Sequence, residues 1–198
     1  LSAKGQGTDV LVMTATPIPR TLTLAAYGDM DVSRLTEKPA GRQPIETTLI
    51  DVTRIDDVLA GRKRQIEKKS RIYWVCPLVE ESEILDLAAA EARFEDLRAV
   101  FGARVGLVHG KMKPIEKDKV MAQFQTGDIE VLVSTTVIEV GVNVPEATVM
   151  VIEHAERFGL AQLHQLRGRV GRGAEKSFCI LLYRTPISET AKARLKIM

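Results

Sequence analysis

The sequence predicts an α/β fold with a mostly parallel sheet, and three observations predict it. Short apolar runs of strand length recur along the chain. Stretches of helical periodicity stand between most of them, and strands that alternate with helices build parallel sheets. The runs are apolar throughout rather than at alternate residues, which fits strands covered on both faces.

Taken in order, Val10–Met13 is the first expected strand, followed by residues that read as a turn into a helix. Residues 29–44 read as a linker, because proline, glycine and charge crowd there. Thr47–Ile50 is the next strand. Thr53 with Asp56 makes a capping-box-like start to a helix whose Ile55, Val58 and Leu59 share one face. Ile72–Cys76 follows as a strand, and Ile84, Leu87, Ala88, Phe94 and Leu97 mark a second helix bounded by Gly102. Val105–Val108 precedes a third helix, with Pro114 in its first turn, Val120, Met121 and Phe124 facing inward, and Gly127 near its end. Val131–Ser134 and Val149–Ile152 are strands, Leu160–Leu166 is a short helix, and Phe178–Leu182 is the last strand. Ser188 caps a final helix. The expected organisation is an N-terminal strand–helix remnant at 1–28, the linker, a lobe at 45–184 and the start of a further helical element at 185–198.

Composition narrows the class. The 198 residues are 45% hydrophobic and 27% charged, which is ordinary for a soluble globular chain. A net charge of +2 excludes neither nucleic acid nor acidic partners. Cys76 and Cys179 lie far apart in apolar runs and read as buried free thiols of a reducing compartment, so a cytoplasmic protein is expected. His109, His154 and His164 lack metal-ligand spacing, and no metal site is expected. No apolar run approaches the roughly 20 residues that cross a membrane, and no membrane partner is expected. The chain begins with Leu1 rather than methionine, so a piece of a longer protein is expected.

The strongest chemical signal is Gln165-Leu-Arg-Gly-Arg-Val-Gly-Arg172. Arg167, Arg169 and Arg172 carry fixed charge on rigid donor forks suited to phosphate oxygens. Gly168 and Gly171 let the backbone approach what those arginines hold. An exposed basic loop is by far the more common explanation of a lone Arg-Gly pair, and the eight-residue pattern shifts the balance toward function. A second signal is Ser134-Thr135-Thr136 after a strand, where hydroxyls and backbone N–H groups at a helix start suit a phosphate. A buried strand with a polar exit is the plainer alternative. His109-Gly110-Lys111 after another strand also suits phosphate contact, as would any solvated turn. Trp74 and Val75 read as core. Arg62, Lys63, Arg64, Lys68, Lys69 and Arg71 read as a solvated helix face, and Glu80, Glu81 and Glu83 as plain surface.

These strings resemble, in family order, the motifs of superfamily 2 helicases and translocases. Thr14-Ala15-Thr16-Pro17 resembles motif III, and the run to Thr21 is similar to the RecG branch. Tyr73–Leu78 resembles motif IV, Val131–Pro145 motif V and Gln165–Arg172 motif VI. The same segments are shared by transcription-repair coupling factors, and a non-catalytic nucleic-acid-binding module on the same fold is an alternative of another class. The resemblance implies a RecA-like lobe of the P-loop NTPase type, the second of two motor lobes in an ATP-dependent DNA helicase of recombination, repair and stalled forks. It implies that Arg169 and Arg172, helped by Gln165, act on ATP, with Gly141, Asn143, Gly168 and Gly171 beside the nucleotide. It implies that Ser134, Thr135, Thr136, His109, Gly110 and Lys111 face a DNA backbone, and that Thr14, Ala15 and Thr16 couple the two. Asn143 stands where the family carries aspartate, which keeps an acceptor and loses a charge. The chain contains no Gly-x-x-x-x-Gly-Lys-Ser/Thr loop and no Asp-Glu-x-His string. The phosphate cradle and the Mg2+ ligands are therefore expected on a preceding lobe. Branched or forked DNA, that lobe and a wedge domain of the same polypeptide are the implied partners.

Overall fold

The computed structural model describes residues 33, 43–66, 70–77, 83–135 and 144–198. The chain divides into two compact units, Leu1–Glu37 and Lys38–Met198, and the elements below belong to the second. The expected strand at Val10–Met13 and the Thr14–Thr21 string lie outside the described residues.

Six strands form the sheet: β1 (Ile45–Asp51), β2 (Arg71–Val75), β3 (Val105–Val108), β4 (Val131–Ser134), β5 (Ala147–Ile152) and β6 (Ser177–Tyr183). Five helices accompany them: α1 (Ile55–Ile66), α2 (Glu83–Phe101), α3 (Pro114–Thr126), α4 (Leu160–Arg167) and α5 (Glu189–Ile197). The spatial order is β1-β6-β5-β2-β4-β3, and every pairing is parallel. This is the α/β sheet the apolar runs predicted.

Alternation along each strand separates two cores. Tyr73 and Val75, Leu132, Met150, Ile152, Cys179 and Leu181 face one side, under Phe124 of α3, Leu163 and Leu166 of α4 and Leu195 of α5. Ile72 and Trp74, Val131, Val133, Val149, Val151, Ile180 and Leu182 face the other, under Val58 of α1 and Ala90, Leu97 and Phe101 of α2. Each large apolar side chain so buried stabilises the fold by about 1.5–3 kcal/mol. Helices on both faces are why the inner strands carry no polar side, whereas the edge strand β1 exposes Glu46 and Thr48.

Local signals set most helix ends. Pro114 occupies the first turn of α3, where its missing N–H is no loss, and the Glu116 carboxylate accepts from Lys113 N. Gly127 ends that helix at φ 93, a conformation that costs glycine little. Ser188 Oγ accepts from Ala191 N and starts α5 as expected. The start of α1 differs from expectation. Asp51 is the cap: its Oδ1 accepts from Thr53 N at 3.0 Å and from Thr53 Oγ1 at 2.7 Å. A 3-10 turn at Val52–Arg54 then leads into the helix, so Thr53 donates to the cap instead of being one.

Candidate nucleotide- and nucleic-acid-facing sites

Parallel strands give the sheet two chemically distinct ends, and the expected site residues divide between them. At the carboxyl ends of β3 and β4, three side-chain atoms are buried and have no hydrogen-bond partner among the described residues. They are His109 Nδ1, Ser134 Oγ and Thr135 Oγ1. Ser134 is 0% exposed and Thr135 3%. The backbone places them side by side, since Thr135 N donates to Val108 O at 3.3 Å and Cys76 N donates to Ser134 O at 2.8 Å. A buried hydroxyl left unpaired costs about 1–3 kcal/mol, so such groups are rare in folded chains. Beside them, Met112 N donates to His109 O, which closes a turn that leaves Gly110 and Lys111 exposed. Lys117 Nζ steadies the turn by donating to Gly110 O at 3.0 Å.

The arginine loop lies at the other end. A Cβ on Gly171 would stand 2.8 Å from Ile45 Cγ1 and 3.8 Å from Ser177 Cβ, and those are the first residues of β1 and β6. A Cβ on Gly173 would meet Pro145 O at 3.0 Å, just ahead of β5. Along β5 the ends are separated by five residue steps, about 17 Å at ~3.3 Å each. The loop is reached because α4 begins after β5 and returns along the sheet. Gln165 is on its exposed side. Arg169 is half-buried, and Arg172 is exposed, with Nε donating to Gly168 O at 3.4 Å.

The three arginines do different work. Arg167 is engaged structurally: Nη1 donates to Met198 O at 2.6 Å, and Nη2 lies 3.0 Å from His164 Nδ1. The fields of Arg169 and Arg172 reach the buried Tyr73. Burial raises that phenol above its ordinary pKa, while the fields of Arg169, Arg172 and Arg71 pull it down. The two glycines also differ. Gly171 sits at φ 72 with a side chain already occupying its Cβ position, whereas Gly168 has an ordinary helical backbone. The absence of a side chain is required by the chain's own packing at Gly171, against Ile45.

Other expectations fall out as follows. Thr136, Gly141 and Asn143, like Thr14, Ala15 and Thr16, lie outside the described residues, as do Glu80 and Glu81. Trp74 is fully buried, as expected of core. Arg71 departs from the solvated face expected of it. It opens β2, packs by the Gly127 backbone and pairs with Glu146 at 2.8 Å. Among the described residues no group of three or more His, Cys, Asp or Glu side chains is placed to hold a metal. Nor is any described helix long and apolar enough to cross a membrane. Both thiols are buried and pushed up, Cys76 strongly and Cys179 to about 12, so both stay protonated near neutrality.

One cluster escaped the sequence. Glu153, 6% exposed at the end of β5, accepts from Trp74 Nε1 of β2 and from Arg93 of α2, whose Nη2 lies 3.2 Å from Glu153 Oε2. Burial works against the Arg93 charge, and the bonds and charge of Glu153 outweigh it, so its pKa is raised. The partners stand 79 and 60 residues from Glu153, and an acid ending an apolar run was the only local sign.

Comparison with known proteins shows the family and the fold. Residues 51–174 match the model of the helicase conserved C-terminal domain. The chain belongs to that family. It is 55% identical over 199 residues to the ATP-dependent DNA helicase RecG of Acidithiobacillus ferridurans, spanning 100% of this chain and 29% of that protein. It is 56% identical over 190 residues to the RecG of Escherichia coli O157:H7, spanning 95% of this chain and 27% of that protein. The chain thus spans less than a third of these relatives. A solved structure of RecG bound to a three-way DNA junction superposes with TM-score 0.78 at 44% identity, covering 92% of this chain and 24% of that one. Saccharomyces cerevisiae Dbp5 bound to RNA and ADP BeF3 superposes with TM-score 0.56 at 17% identity, covering 79% of this chain and 38% of that one. That likeness is one of fold. The six-stranded parallel sheet is the RecA-like sheet of helicase C-terminal domains.

Proposed function

We propose that this chain is the second motor lobe of an ATP-dependent DNA helicase or translocase of the RecG kind, acting on branched DNA. Residues 1–28 would end the preceding lobe, 29–44 link the two, 45–184 form the lobe, and 185–198 start the helical element that follows. One observation carries the reading: a phosphate-suited arginine loop and a set of unpartnered polar groups occupy opposite ends of one rigid parallel sheet. A body built this way can meet a nucleotide with one end and a nucleic-acid backbone with the other. The high identity with RecG proteins supports the choice of partner chemistry.

The residues fit the outer phosphate of a nucleotide and not a whole one. Arg172 is exposed on a backbone fixed by Gly171, Arg169 stands beside it, and the chain carries no phosphate-cradling loop. ATP with Mg2+, held mainly by the preceding lobe, would supply the phosphoryl group whose transfer to water drives motion. Arg169 and Arg172 stabilise negative charge as it spreads over that group, and Gln165 assists them. At the other end Ser134, Thr135 and the His109–Lys111 turn take backbone phosphates, and their grip shifts as the lobes close and open. Contacts of this kind are indifferent to base sequence and weaken with salt.

The test separates the two ends. In the full-length protein, Arg172→Ala lowers DNA-stimulated ATP hydrolysis by about 10³-fold or more, the range of arginine fingers. Its affinity for a synthetic three-way junction stays within about twofold. Normal turnover by this variant defeats the reading, and a wild-type full-length protein without any ATPase identifies a binding module on the same fold.

A further inference from the structure

Lysine 111, 113, 117 and 119 crowd the turn before α3 and its first two turns, next to the buried, unpartnered His109 Nδ1, Ser134 Oγ and Thr135 Oγ1. Lys117 is engaged with Gly110 O. Lys111, Lys113 and Lys119 are exposed and form no ion pair with a described residue. Glu116, one of two acids in the stretch, is turned back to accept from Lys113 N, and Asp118 is the other. At the centre stands Ile115, 82% exposed and the most exposed large apolar side chain among the described residues. It packs on nothing in the core. The residues three and four places on are Asp118 and Lys119, so it belongs to no apolar helix stripe. An isoleucine held in water among unpaired cations matches a strand of nucleic acid, which offers phosphates to the lysines and an apolar sugar or base face to the isoleucine.

We infer that the first turn of α3 continues the DNA track beyond the His109–Lys111 turn. Lys113 and Lys119 take the next phosphates, and Ile115 lies against the sugars or bases between them. This rests on the proposed DNA-facing end and adds a contact whose strength does not depend on salt. Such a contact resists sliding off at ionic strengths where phosphate contacts alone weaken.

Two variants of the full-length protein test it, each titrated with a fluorescent three-way junction at several salt concentrations. Lys113→Gln with Lys119→Gln should weaken binding and flatten the dependence of log affinity on log salt by about one to two phosphate contacts at ~0.9 each. Ile115→Ser should weaken binding about threefold to tenfold at every salt concentration and leave the slope unchanged. A full wild-type slope in the lysine variant together with wild-type affinity in Ile115→Ser overturns the inference. So does an Ile115→Ser protein that binds normally but melts at lower temperature, because the turn then packs against another domain. Wild-type protein that shows no salt-dependent binding at all defeats the DNA-facing end itself. If Thr135→Val weakens binding and the α3 variants do not, only this extension fails.

Discussion

At the amino end of the sheet, charge lies near the surface and is met by charge. Lys176 pairs with Glu46, Arg71 with Glu146 and Arg104 with Glu130. At the carboxyl end, the charge is deep and the polar groups beside it are empty-handed. Glu153 is buried between Trp74 and Arg93, and the hydroxyls of Ser134 and Thr135 have no described partner. The difference teaches where each end gets its precision. At the amino end a tight backbone, with Gly171 at φ 72 against Ile45, carries Arg169 and Arg172. The carboxyl end carries a buried, satisfied cluster around Glu153 beside hydroxyls that have no described partner.

The largest expected effect tests that contrast directly. Arg93→Met leaves the Glu153 carboxylate buried without its cation and should cost about 3–5 kcal/mol of stability. Arg71→Met at the amino end releases Glu146, which is mostly exposed, and should cost about 1 kcal/mol or less from the lost pair. Chemical denaturation of both variants measures this, and equal losses would break the contrast. A middle-sized effect compares the two loop glycines. Gly171→Ala forces a side chain into φ 72 against Ile45 and should cost about 1–3 kcal/mol while reducing ATP turnover. Gly168→Ala, at φ −67, should stay within about 1 kcal/mol of wild type and keep its activity. If both variants lose turnover alike, Gly168 contacts the nucleotide rather than merely ending α4. The smallest effect has an unusual sign. Thr135→Val removes a buried unpaired hydroxyl without changing shape, so stability should rise by up to about 1 kcal/mol while junction affinity falls. A stability loss in that variant would mean the hydroxyl already has a partner in the free protein.

Much of the fold was legible locally. Every expected strand and helix within the described residues is present, with ends shifted by a few residues, because short apolar runs and helical periodicity are local features. Helix starts were harder. The Asp51 cap lies two residues before Thr53, and several acceptors in Asp51–Asp57 could have served. Of the candidate site, the arginine string and the His-Gly turn were legible as groups suited to phosphate, since residue type alone fixes charge and donor geometry. Their separation was not. It follows from α4 running back along the sheet, which no local pattern encodes.

Sequence by itself determined the class of fold, the two-sided burial of its strands and the presence of groups suited to phosphate. Tertiary structure decided which of those groups are neighbours. Strand order placed β4 between β2 and β3, which set Ser134 and Thr135 beside His109. It also placed β5 beside β2, which gave Glu153 its Trp74, 79 residues away. Packing gave Arg167 and Arg172, and likewise Gly168 and Gly171, different surroundings, though they look alike on paper. The physical reason is range. Side-chain periodicity and charge act over a few residues, whereas parallel pairing and burial join segments that the chain itself keeps far apart.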